Sequence, residues 1–154
     1  MLKKIFFTAF ILFSSTWVAA QTPLATNDAS NHEIAANVVS IKTPEVNATM
    51  PTQHGAQVYM ELDNKGAIAH QLIAAYSPVA KLIQLHQTFQ KEGTSFMQQV
   101  PVINIKPSQE QDLKQGGFHV MLMGLNQSLK KGHKIPLVLL FEDGSYLNLN
   151  ITII

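Results

Sequence analysis

The chain has 154 residues, 46% of them hydrophobic, with 11 lysines set against 10 acids, no arginine and no cysteine, for a formal charge of +1. Without arginine forks or a basic stripe, the composition argues against a nucleic-acid binder. Without cysteine there are no disulfides, no thiolate zinc site, no thiol redox pair and no blue-copper centre, which needs a cysteine sulfur.

Met1 to Ala20 reads as a secretory signal peptide. Lys3 and Lys4 give a positive start, Ile5 to Trp17 is apolar with a few hydroxyls, and Val18-Ala19-Ala20 offers small residues for cleavage. The 13-residue apolar run is shorter than the roughly 20 residues a helix needs to cross a bilayer, so a retained anchor is the weaker alternative. No cysteine follows, so a lipid-anchored mature form is not expected. Removing 20 of 154 residues leaves 134, a length suited to one domain with its own core. Losing two lysines leaves nine against ten acids, a formal charge of minus one. The expected product is exported, periplasmic and not membrane-spanning.

Residues 21–37 are rich in Thr, Asn, Ala and Ser and read as a flexible leader, with His32 a solvated tail residue. From there on the pattern is short strands with no sustained 3.6-residue stripe. Strands are predicted at Val38–Lys42, Gln57–Asp63, His70–Tyr76, Lys81–Gln90, Phe96–Val100, Gln111–Leu113, Phe118–Met123, Pro136–Phe141 and Tyr146–Ile153. Their separators have turn chemistry: Pro44, Pro51, Asn64-Lys65-Gly66, Ser77-Pro78, Lys91-Glu92-Gly93, Pro107-Ser108, Gly116-Gly117, Lys130-Lys131-Gly132 and Asp143-Gly144. Many short strands at such intervals predict an all-β single domain over residues 38–154, a β-sandwich or small Greek-key barrel.

Two stretches carry chemistry. In Lys81–Gln90, His86 alternates with Leu85 and so leaves the sheet on the opposite face. Lys91-Glu92-Gly93-Thr94 then turns the chain back and brings Met97 near the strand of His86. In Gly116-Gly117-Phe118-His119-Val120-Met121-Leu122-Met123-Gly124-Leu125, alternation puts His119, Met121 and Met123 on one face and Phe118, Val120 and Leu122 on the other. Imidazole beside thioether suits soft Cu(I), whereas carboxylates and carbonyls would suit calcium or magnesium. Thioether sulfur cannot form a disulfide in an oxidising compartment, although it can be oxidised to sulfoxide.

The spacing is His86, ten residues, Met97, twenty-one residues, His119, one residue, Met121. It resembles the copper-binding signature of the PCu(A)C family of periplasmic copper chaperones. Ser77-Pro78-Val79-Ala80, Gly116 to Leu125, the Gly132 to Pro136 turn and Phe141-Glu142-Asp143-Gly144 also resemble that family, over roughly Val38 to Ile154. The resemblance implies a cupredoxin-like sandwich, His86, Met97, His119 and Met121 as metal ligands, and Cu(I) as the metal. It also implies delivery towards cytochrome oxidase, with a copper subunit or an assembly protein as recipient. The chain departs from the family after its N-terminal valines, where Ile41-Lys42-Thr43-Pro44-Glu45-Val46 stands in place of a tryptophan-containing strand.

The remaining candidates have plainer readings. Met123 shares a face with Met121 but lies outside the pattern, so packing is its expected role. Met60 alternates with apolar neighbours as strand packing, and Met50 sits in a loop. His133 belongs to a solvated turn, and His54 and His70 have no partner spacing. No nucleophile–base pair or carboxylate dyad is visible, so catalysis is not expected. The function expected is a periplasmic Cu(I) metallochaperone, and the alternative is an immunoglobulin-like interaction module that transfers no metal.

Overall fold

The computed structural model describes residues 33–154. The expected signal peptide and most of the expected leader, including His32, lie outside the described residues. The chain forms one helical turn, α1 (Ala35–Val38), and ten strands: β1 (Val39–Val46), β2 (Gly55–Asn64), β3 (His70–Tyr76), β4 (Ala80–Lys91), β5 (Thr94–Gln99), β6 (Ile103–Ile105), β7 (Gln109–Leu113), β8 (Phe118–Leu125), β9 (Lys134–Phe141) and β10 (Tyr146–Ile153). They hydrogen-bond in the order β5-β4-β8-β7-β2-β1-β10-β9-β3-β6. This is the expected all-β, cupredoxin-like sandwich.

Strict alternation builds the core. In β2 every second residue (Ala56, Val58, Met60, Leu62, Asn64) is buried, and Leu85, Val120 and Leu122 join them from β4 and β8. From the other half come Leu72, Leu137, Leu139, Phe141 and Ile151. Met60 is packing, as its neighbours imply.

Two expectations need correction here. Pro44 does not separate strands, because β1 runs through it to Val46. The register against β2 shifts between Lys42 and Glu45, and Thr43 has φ of 45°. That bulge leaves Pro44 outside the ladder, where its missing N–H costs nothing. A tenth strand, β6, pairs with β3 at residues 103–105. Beyond the bulge, Glu45 and Val46 pair with β2 on one side and in parallel with Thr152 and Ile153 of β10 on the other. β1 therefore belongs to both halves of the sandwich.

The packed unit also takes in residues 33–37, which composition assigns to the leader. Ala35 is fully buried, and its N–H donates to Asp143 Oδ2 at 2.7 Å. Glu33 accepts from the Ala67 and Ile68 amides at 3.1 and 3.3 Å and lies 3.5 Å from buried His70, whose other nitrogen contacts Glu142 at 2.8 Å. The carboxylate fits because residue 66 is glycine: a Cβ there would stand 1.9 Å from Glu33 Oε1. His70, without a partner in sequence terms, thus holds two carboxylates on the β2–β3 side of the fold.

Candidate metal centre

The site is built on the outer face of β2, β8 and β4. β8 pairs with β4 so that His86 stands directly opposite His119, Gln84 opposite Met121 and Leu82 opposite Met123. On its other side β8 pairs with β2, placing Gln57 opposite Met121 and Gly55 opposite Met123. Directly opposed residues share a face, so both imidazoles and the Met121 thioether stand on the same side. The two rings meet edge to face, with centroids 5.7 Å apart, and Tyr59 packs its edge on His119 at 6.5 Å.

Met97 arrives by a bend. Lys91 and Thr94 are paired, and the two residues between them, Glu92 and Gly93, both have positive φ, 51° and 77°. This is the type I′ geometry that twists a hairpin tightly, and glycine adopts it without strain. Met97 pairs with Thr88, whereas Gln57 lies level with Gln84 three strand spacings away. On a flat sheet their Cα atoms would be roughly 20 Å apart. Yet Gln57 Nε2 donates to Met97 Sδ at 3.4 Å. The β4–β5 hairpin must therefore curl over the face that carries His119. Tyr59 in turn donates its hydroxyl hydrogen to Gln57 Oε1.

The electrostatics suit a neutral donor set. His119 is fully buried, while Met97, at 57% exposure, is the most open of the four. Burial pushes the His86 imidazole below the ordinary histidine range. Burial does the same to His119, offset in part by the Gly117 carbonyl and reinforced by a charge on His86. Each ring has one nitrogen satisfied: His119 Nδ1 lies 3.1 Å from Gly117 O, and His86 Nε2 lies 3.0 Å from Gln84 Oε1. The opposite nitrogens, His86 Nδ1 and His119 Nε2, are buried and have no partner. Buried lone pairs without donors are costly unless something occupies them. Orienting one nitrogen through a carbonyl while the other stays bare is how protein imidazoles are prepared for metals. Among the described residues, no cluster of three or more His, Asp or Glu could hold an ion, and the side chains that share the face of the two imidazoles include the Met121 thioether.

The structure brings His86, His119 and Met121 together in one row and folds Met97 towards them. Met123 is half-buried on the same face, opposite Gly55 and Leu82. His54 and His133 are exposed, as is Met50. Sequence reasoning misses Gln57, Tyr59, Gln84 and Gln99. Of these only Gln84 carries a local signal, sitting two residues before His86 on the same strand face. A groove of about 260 Å³ beside Met121 is lined by Gln53, Gly55, Gln57 and Tyr59.

The family model described as LpqE-like, a lipoprotein family, matches residues 39–153. A curated relative from Leifsonia xyli, named as lipoprotein Lxx21020, is 37% identical over 86 residues. The match spans 55% of this chain and about half (52%) of the relative's own length. The Cu(I) form of DR1885 from Deinococcus radiodurans is 31% identical over 84% of this chain and 85% of that one, with a TM-score of 0.63. The apo form of the same protein covers 95% of both chains with a TM-score of 0.59. The copper-bound PCuAC domain from PmoF2 shares the fold, with a TM-score of 0.64 at 21% identity over 75% of this chain and 91% of that domain.

Proposed function

This chain belongs to the LpqE-like family, and we propose that it is an exported copper chaperone that carries Cu(I) on His86, Met97, His119 and Met121. The observation that carries the reading is the pair of buried, partnerless nitrogens on directly opposed histidines, with thioethers on the same face. Support comes from the relatives, since DR1885 was solved with Cu(I) and the PmoF2 domain with copper. Two imidazoles and two thioethers are neutral and soft, so bound Cu(I) keeps its single charge in surroundings with no hydrogen-bonded carboxylate. Zn(II) would gain little from thioethers and would meet no anion to offset its double charge.

Release follows from the gradient of burial. Met97 is open and His119 enclosed, so a recipient's ligands displace Met97 first and His119 last. The recipient proposed is a cytochrome oxidase copper subunit or an assembly protein, met in the periplasm after cleavage of the signal peptide. The role is carriage, not turnover. A pure interaction module would leave both bare nitrogens without a use.

The test is competition between a chromophoric Cu(I) chelator and the mature protein under reductant, repeated with Zn(II). One tightly held equivalent of Cu(I) and weak zinc retention are expected. Comparable occupancy by the two metals would remove the methionines from the ligand set. No retained copper would leave the interaction module.

A further inference from the structure

The two imidazoles are tied at opposite atoms. The Gly117 carbonyl can only accept, so His119 carries its proton on Nδ1 and its lone pair on Nε2. His86 is the reverse, with Nε2 against Gln84 Oε1 and Nδ1 bare. Here the acceptor is a side-chain amide, and which end it presents decides the tautomer. Gln84 Nε2 donates to Gln99 Oε1 at 2.9 Å. Gln99 stands directly across from His86 on β5, so the same register that places the histidine places the residue that engages Gln84. With its nitrogen held by Gln99, Gln84 turns its oxygen to His86.

Building on the copper reading above, we propose that Gln84, held by Gln99, is a positioning residue that makes His86 a ligand through Nδ1, while His119 binds through Nε2. Without the Gln84 oxygen, His86 is free to carry its hydrogen on Nδ1, the nitrogen that is now buried and bare. Nδ1 adjoins the ring carbon that bears the side-chain stem, and Nε2 lies on the far side of the ring.

The experiment starts with the metal-free, ¹⁵N-labelled mature chain. Long-range proton–nitrogen correlation spectra at neutral pH read the tautomer of each imidazole without copper. The expected result is His86 protonated on Nε2 and His119 on Nδ1. Gln84→Leu should shift His86 towards the Nδ1-protonated form, leave His119 unchanged, and weaken Cu(I) binding by about tenfold to a hundredfold, the usual effect of losing a partner behind a metal ligand. Gln84→Glu keeps an accepting oxygen and should hold both the tautomer and the affinity to within severalfold. Should Gln84→Leu fail to fold by thermal melt, Gln99→Leu, at an exposed position, should give a weaker shift of the same sign. A proton on Nδ1 of wild-type His86, or an unchanged tautomer in the leucine variants, overturns the proposal. If the wild-type tautomers are as expected and no Cu(I) binds, the copper reading falls while the role of Gln84 in setting the tautomer stands.

Discussion

Gln57 holds the Met97 sulfur, reaching it at 3.4 Å across a face on which the two residues belong to strands three spacings apart. The contact parks a mobile thioether beside the site, and the Tyr59 hydroxyl steadies the amide that does so. Parking an exposed side chain lowers the entropy lost when it binds a metal. Met97→Leu and Met121→Leu keep most of the volume, so their packing cost should stay below about 1.5 kcal/mol. Each should weaken Cu(I) binding strongly with little change in melting temperature. Met123→Leu should leave binding nearly intact, and Gln57→Leu should give a milder loss than Met97→Leu. Side-by-side Cu(I) competition titrations check the order, and a larger loss at Met123 than at Met121 would identify a different sulfur.

Gly55 gives Met121 its room. A Cβ at position 55 would lie 3.0 Å from the Met121 methyl and 3.2 Å from the Leu122 carbonyl oxygen. The methyl can swing away and the backbone cannot, so Gly55→Ala should cost about 1–3 kcal/mol of stability and displace the sulfur. Cu(I) affinity should fall even where the melt shows a folded protein. Wild-type affinity in folded Gly55→Ala would mean that the Met121 sulfur is not held by its surroundings.

Acid should loosen the metal-free protein through the same histidines. Burial holds both imidazoles below their ordinary range, so the unfolded chain, titrating near pH ~6.5, takes up protons that the folded chain refuses. Their contribution to stability is therefore complete above that value and is lost as pH falls through the depressed range. Melting temperature should drop more steeply between pH ~7 and ~5 in the wild type than in a His86→Gln, His119→Gln double variant. Copper, which needs both rings neutral, should be retained to a pH below the ordinary histidine value. Parallel slopes in the two proteins would show that neither histidine is shifted by burial.

At the other end of β2, Gly66→Ala should evict Glu33 from the Ala67 and Ile68 amides, since the new methyl would overlap the carboxylate. The Ala67 amide is the main reason the Glu33 carboxyl sits below its usual value. Amide exchange at positions 67 and 68 should quicken in Gly66→Ala and equally in Glu33→Ala, with Cu(I) affinity unchanged. Protection that survives Glu33→Ala would assign those amides another acceptor.

Strand alternation made much of the centre legible. His119 and Met121 two positions apart must share a face, and His86 must oppose Leu85, whatever the fold around them. Alternation says nothing of register, so the direct opposition of His86 and His119 is a product of the closed sheet. Gln57 is harder still, because its contact with Met97 depends on how far one hairpin bends. β6 escaped notice although Ile103 and Ile105 are buried around exposed Asn104. A three-residue strand within the five residues between Pro101 and Pro107 is too short for a period to show. Pro44 misled for the opposite reason, since a general rule about proline gave way to a bulge created by long-range pairing.

The double membership of β1 also bears on when the proposed ligands can come together. Val46 pairs with Ile153 of β10, so the join between the two halves waits for that strand. The β4–β5 hairpin is local and can form early, presenting His86 and Met97, but His119 and Met121 wait for pairings remote in sequence. All-β chains dominated by such pairings close over milliseconds to seconds, far slower than a hairpin. If the proposed ligands hold the metal, a half-made chain offers one imidazole and one thioether, a poor competitor for Cu(I). On the proposed ligand set, the four donors come together only in the completed fold.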